Sequence, residues 1–363
     1  MFDRKQILSC GSIWLVVVVL VASLIALSLQ PASYAAAAAR VQVRKETLTL
    51  QAYNWKSALV PTAKDDAIYP YPRLDFDKLG PLQSITTTVI VLESAGTRLT
   101  IAPEFGGRIL RWYDKRQQRE VLYVNPVIKP TRWGYRGWWF ATGGIEWAFP
   151  TNEHGLNEWQ PWKATTFSGS TYAGVVVSDR DKRTGLDVSV TISLYVNDQI
   201  IITPQISNQT RTTQKFQFWI NAMLPYSPDL QFDLPARTVE IHSTGDEKLP
   251  AAGQTMSWPI YSKRDFSKAS TWQHYLGIFA APVTAGRVTV SSATNQWQIT
   301  RSFPSYTARG VKLFLLGDLP SDLYTDGNSR YVEMWGGYTR TFNEDATLRS
   351  GYRAQWTEYW SLR

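Results

Sequence analysis

The chain has 363 residues, with 38 Lys and Arg against 30 Asp and Glu, a formal net charge of +8 and one cysteine. The basic residues are scattered, with no stripe that would follow a phosphate backbone, so the charge suggests solubility or attraction to acidic polymers rather than a nucleic-acid partner. The lone cysteine, Cys10, lies close to the start, which leaves the rest of the chain without a disulfide, a thiolate metal site or a cysteine nucleophile.

Taken in chain order, Arg4 and Lys5 form a short positive start. An apolar run over 13–29 follows, interrupted only by Ser23 and Ser28, and then Pro31, Ser33 and an alanine tract at 35–39. Charged start, apolar stretch and small-residue tract are the order of an export signal. The run is about 17 residues, the lower limit for crossing a bilayer. Residues 1–39 are therefore expected to be a signal peptide or an uncleaved N-terminal membrane anchor. Either places the protein outside the cytoplasm, secreted or anchored, touching membrane only through this segment if it is retained. Cys10 precedes the apolar run, so lipidation of the kind found in lipoproteins is not expected.

Residues 40–84 contain Pro61, Pro70, Pro72 and Pro81 among short polar residues, which reads as an irregular lead-in or linker. From residue 85 the strand signals are dense. Residues 86–92 read TTTVIVL, and 186–196 read LDVSVTISLYV with clean alternation. Asn197-Asp198 then breaks into Ile200-Ile201-Ile202, a hairpin signal. Further strands are predicted over 174–177, 215–220, 275–280, 287–291, 296–301, 311–316, 331–335 and 354–360. No window keeps apolar residues at helical spacing between caps. Many strands punctuated by turns, without helices, predict an all-β domain over 85–363, and this number of strands favours two packed sheets over one open sheet.

Aromatic residues are abundant, with 16 Trp, 18 Tyr and 14 Phe. They are densest over 132–162, RWGYRGWWFATGGIEWAFPTNEHGLNEWQPW, where Glu146, Glu153, His154 and Glu158 lie among six tryptophans. Most such rings fill a core, but indoles beside acids and a histidine, on a loop broken by glycines, also suit a sugar-binding surface. A large loop that merely caps one sheet would have the same composition.

Within this stretch Gly143-Gly144-Ile145, Phe149-Pro150, His154-Gly155 and Trp159 or Trp162 resemble a segment of hexose-phosphate epimerases, members of the galactose mutarotase-like superfamily. Further landmarks are similar to an uncharacterised bacterial family on that fold: Pro103-Glu104-Phe105-Gly106-Gly107-Arg108, Tyr113-Asp114-Lys115, Asn125-Pro126-Val127, Gly144-Ile145-Glu146-Trp147 and Trp356-Thr357-Glu358-Tyr359-Trp360. The resemblance covers roughly residues 85–360 and implies a supersandwich of two large antiparallel sheets, a carbohydrate ligand and no cofactor. It implies a glutamate base on a late strand, matched by Glu333, although strand alternation alone would also place a surface glutamate there. It further implies a histidine acid, whose position falls on Leu224, while His154 resembles a second, substrate-contacting histidine. Candidate catalytic residues are thus Glu333 and His154; candidate substrate-binding residues are Glu146, Trp147, Arg108, Arg136, Trp139 and Trp335.

Three readings follow. Leucine at 224 implies a carbohydrate-binding domain with degenerate epimerase machinery. If His154 replaces the missing acid, the chain is an active aldose 1-epimerase-like enzyme. The third reading is a structural cell-surface module. Glycoside hydrolysis would need two facing carboxylates, for which Glu146 with Glu333 or Glu358 are the candidates. His154, His242 and His274 have no paired spacing, so no metal site is expected, and the latter two read as structural.

Overall fold

The computed structural model describes residues 40–363. The expected export segment, 1–39, lies outside the described residues. The described chain is built almost wholly of strands, with four single-turn 3-10 helices between them. Two sheets dominate, one of 14 strands and one of nine. Neighbouring strands pair antiparallel, apart from a short parallel contact of Gln51 and Ala52 with Val127 and Ile128. None of the helices among the described residues is long and apolar enough to cross a membrane.

Alternation is what lets these strands face two ways. In the nine-stranded sheet, Asp187–Tyr195 turns Val188, Val190, Ile192 and Leu194 inward. They meet Ile220, Ala222 and Leu224 of Trp219–Pro225 and Val332 and Met334 of Tyr331–Gly337, which come from the larger sheet. Burying each such aliphatic side chain stabilises the fold by about 1.5–3 kcal/mol, and the two inner faces form one continuous core. One ion pair is sealed into this core: Arg301 Nε and Nη2 each donate to Glu358 at 2.7 Å, with both side chains fully buried. The facing sheet accommodates the guanidinium with Gly336, because a Cβ there would overlap it.

The segment 40–84 is not the linker that its prolines suggested. Gln42–Tyr53 is a 12-residue strand of the larger sheet, paired along its whole length with Leu82–Glu93. Its alternating Leu48, Leu50 and Ala52 pack on an apolar layer with Ile128, Trp138 and Phe140. The prolines are confined to the irregular stretch between these two strands, where Ile68 and Tyr71 are buried against Leu156. The expected domain boundary at 84/85 therefore falls inside a continuous strand, Leu82–Glu93.

The outer face of the larger sheet positions the site. Thr238–Thr244, Leu276–Ala280, Gly310–Leu315, Tyr331–Gly337, Trp219–Pro225 and Ile145–Ala148 lie side by side in that order. A ribbon of Val124–Thr131 and Trp139–Gly143 forms the end of the same sheet.

Candidate functional site

A cavity of about 400 Å³ opens on this outer face. Tyr331, Glu333 and Trp335, alternate residues of one strand, line it together. The adjoining strand contributes Lys312 and Phe314, which stand opposite Trp335 and Glu333 in register. His242 enters from Thr238–Thr244, Trp139 from the ribbon, and Glu153 and His154 from the loop after Ile145–Ala148. That loop turns sharply: Glu153 and Gly155 both have positive φ, 49° and 67°, and a Cβ at 155 would run into the backbone of Phe149. The glycine is thus what allows His154 to be carried back over the sheet.

His154 is held on two sides. Its imidazole lies parallel to the Trp139 indole, with ring centroids 3.7 Å apart and an interplanar angle of 3°. Its Nδ1 is 2.6 Å from Glu146 Oε1. Glu146 is itself buried beneath the cavity floor, with Arg108 Nη1 at 3.3 Å from Oε2 as an ion contact and Asn221 Nδ2 donating to Oε1 at 3.0 Å. Burial opposes charge on both partners. The Glu146 carboxylate nevertheless holds the His154 pKa above its usual value, while His154, Arg108 and Asn221 hold Glu146 below the usual carboxylate range. The contact therefore favours the imidazolium–carboxylate form of the pair. Nε2 of His154 has no hydrogen-bond partner among the described residues, so its N–H is free for a ligand.

Glu333 has a different environment. Trp335 Nε1 donates to Oε2 at 2.8 Å, and Asn221 Nδ2 reaches Oε1 at 3.4 Å. Asn221 thus bridges the two carboxylates. Burial pushes the Glu333 carboxyl above its usual range, against the pull of Lys312 and His154. A group poised in this way accepts and releases a proton near neutrality more readily than an ordinary glutamate. His242 Nε2 is 3.7 Å from Glu153 Oε1. That contact is not an ion pair at neutral pH, because burial, helped by Lys312, pushes the His242 pKa down to about 3.

Of the residues singled out from the sequence, Glu333, His154, Trp139 and Trp335 line the cavity. Glu146 and Arg108 form the layer beneath and reach the cavity only through His154 and Asn221. Trp147 does not belong to the site: its side chain points into the sandwich core and donates to the Gly107 carbonyl at 3.2 Å. It alternates with Glu146, so the two occupy opposite faces. Arg136 is also elsewhere, stacked 3.9 Å over Trp138 and bonded to Glu158 at 2.8 Å. Glu358 is committed to Arg301 in the core, which removes it as a partner carboxylate. Leu224 packs in the core, and the residues of its strand on the cavity side are Asn221 and Met223. His274 bonds Asp318 at 2.8 Å at the surface.

Lys312, His242, Asn221 and Tyr331 were not anticipated as site residues. His242 lies in the mostly polar Thr238–Thr244, TVEIHST, whereas Lys312 and Asn221 each sit in a largely apolar strand, Gly310–Leu315, GVKLFL, and Trp219–Pro225, WINAMLP. One polar residue within such a run was the available signal, and only pairing with neighbouring strands distinguishes a buried polar group from a solvated one. No group of three or more His, Cys, Asp or Glu among the described residues is arranged to hold a metal ion.

Several solved structures are similar in fold. A TPR-domain containing protein from Parabacteroides distasonis superposes with a TM-score of 0.77 at 24% identity, over 89% of this chain and 55% of that one, so the chain spans about half of that protein's length. A putative aldose 1-epimerase from Escherichia coli matches with a TM-score of 0.56 at 12% identity, over 75% and 98% of the two chains. A galactose mutarotase-like protein from Clostridium acetobutylicum gives 0.56 at 10% identity, over 76% and 95%. These identities speak to the fold alone. Residues 63–362 match the family described as Domain of unknown function (DUF5107), and the chain belongs to that family, on the galactose mutarotase-like fold.

Proposed function

We propose that the cavity binds a pyranose and that His154 and Glu333 open its ring, making this an aldose 1-epimerase-like protein that acts outside the cytoplasm. The observation that carries the proposal is the juxtaposition of an imidazolium, held by Glu146 with its Nε2 free, and a glutamate of raised pKa on the wall of one cavity. In the reaction Glu333 takes the proton of the anomeric hydroxyl and His154 Nε2 gives one to the ring oxygen. The C1–O5 bond breaks as the C1 carbonyl forms, and closure on the opposite face of that carbonyl returns both protons. Such paired transfer requires one group protonated and one ionised at the same pH: Glu146 favours the imidazolium of His154, and Lys312 and His154 pull Glu333 toward its carboxylate against the burial that raises its pKa. Trp139, Trp335 and Tyr331 offer apolar ring faces to a sugar.

The expectation of a degenerate site rested on Leu224, and a residue that faces the core bears on neither outcome. Export rests on the segment 1–39, and a reporter fused after Arg40 should appear outside the cytoplasm. Catalysis is tested by polarimetry, or by NMR exchange between anomers, on freshly dissolved galactose and glucose. Interconversion above the spontaneous rate, abolished in Glu333→Gln and in His154→Asn, is the expected result. Ligand-induced shifts without faster interconversion would reduce the proposal to sugar binding alone, and the absence of both would overturn it.

A further inference from the structure

Lys312 is a cationic group of the cavity that the ring-opening chemistry does not use. It is 3% exposed, yet its ammonium has no ion-pair or hydrogen-bond partner among the described residues. Its nearest company is aromatic: Nζ lies 4.6 Å from the Phe342 ring centre, 4.8 Å from Trp335 and 4.9 Å from Phe314. Ring faces stabilise a cation but do not accept its hydrogen bonds as an anion does. Buried ammonium groups are ordinarily paired, because leaving one unpaired costs far more than leaving a neutral polar group so. A lysine with an open position in a ligand cavity therefore calls for an acceptor brought by the ligand.

The neighbouring charges limit what that acceptor can be. His242 is neutral at pH 7 and adds no cation. Glu333 and Glu153 line the same cavity. The Arg108 guanidinium lies below the floor, occupied by Glu146, Thr142 and backbone carbonyls. Lys312 and His154 are the cationic groups of the lining and Glu333 and Glu153 the anionic ones, so a phosphate dianion would leave the cavity with more uncompensated negative charge than a single carboxylate would. The volume of about 400 Å³ suits one or two sugar rings.

We infer that the preferred ligand is a sugar bearing one carboxylate, a hexuronic acid, seated with that carboxylate on Lys312. This rests on the sugar reading above and adds the substrate class. The test is calorimetric titration of the purified protein with galacturonate, glucuronate, galactose, glucose and glucose 6-phosphate. The uronates should bind roughly tenfold or more tightly than the parent hexoses, as a charge-assisted hydrogen bond implies. Lys312→Met should bring the ratio of uronate to hexose affinity down to about one, a ratio that is read whatever the variant does to hexose affinity itself, with its melting curve showing that it folds. The wild-type series decides the matter even if that variant does not fold. Equal affinity for uronates and hexoses would overturn the inference and leave the sugar reading standing. Preference for the 6-phosphate would replace the carboxylate with a dianion. Failure of every sugar to bind would overturn both.

Discussion

Two sets of buried charge lie on opposite faces of one strand, Tyr331–Gly337. On the inner face, Gly336 makes room for Arg301, which meets Glu358 through two parallel hydrogen bonds of 2.7 Å. On the outer face, Glu333 stands near Lys312, His154 and Asn221, with no ion-pair partner within 4 Å among the described residues. The inner pair is charge neutralised by geometry and holds two strands of one sheet together. The outer set keeps His154 Nε2 and Lys312 Nζ open to the cavity. Charges of similar burial thus serve different ends: Arg301 and Glu358 face one another, whereas His154 and Lys312 face the cavity. An incompletely satisfied buried cluster is costly, and it persists where a ligand completes it.

The largest expected effect breaks the outer set. Glu333→Gln should slow anomer interconversion by about 100- to 10,000-fold, the usual contribution of a positioned base. Its melting temperature should be unchanged or higher, because the variant removes a carboxylate that burial disfavours. A fall in stability comparable to that of a core variant would place Glu333 with the structural charges and remove the contrast.

Breaking the inner pair should do the reverse. Arg301→Met leaves Glu358 uncompensated in the core and should cost about 3–5 kcal/mol in chemical denaturation. Pairing it with Glu358→Leu should restore much of that loss. Sugar affinity per folded molecule should remain that of the wild type, so a specific loss of binding at full occupancy of the folded state would couple the two faces.

A pH series sharpens the comparison. His242 has a folded-state pKa of about 3, below that of an unfolded histidine. Between pH 3 and roughly 6.5 the unfolded chain binds more protons at this site, so stability should decline as pH falls through that window. His242→Gln should flatten that part of the curve. The His154–Glu146 pair has the opposite pattern at its upper end. The raised His154 pKa gives stability that is present below the unfolded histidine pKa and lost as pH rises through the folded value. The lowered Glu146 pKa gives stability present above the unfolded carboxylate pKa and lost as pH falls through the folded value. His154→Asn should remove the alkaline limb of the dependence.

The smallest effect concerns the parallel stack of Trp139 on His154. Trp139→Leu removes a cation–π contact of the order of 1 kcal/mol. Activity should fall modestly, and the pH at which His154 loses its proton should move down. An unchanged pH profile would make Trp139 a sugar platform only.

Strands, turns and the two-sheet class were legible because alternation and turn residues are local. The run TTTVIVL sits within Leu82–Glu93, and LDVSVTISLYV contains the strand Asp187–Tyr195. The same rule applied to the Thr47–Ala52 alternation would have found the first strand, but the prolines after it masked the signal. Glu333 and His154 were legible by motif order, and so was the family, which rests on landmarks spread along the chain.

The strand pattern, the aromatic wealth and the acid–histidine loop are thus matters of neighbouring residues, readable along the chain. Which of those residues share a cavity was decided by tertiary structure alone. Glu146 and Trp147 are adjacent in sequence and face opposite sides of the sheet. Lys312 and Glu333 are 21 positions apart and line one wall. A strand turns each successive side chain by half a rotation, so a one-residue choice of face moves a group from core to cavity. Leu224 and Arg136 were displaced from their expected roles for that kind of reason: one is turned to the core by parity, and the other is claimed by Glu158. The pKa shifts of His154, Glu146 and Glu333 arise from burial and from partners far along the chain, Arg108, Asn221 and Lys312 among them. No local pattern carries that information, because electrostatic coupling depends on distance in space.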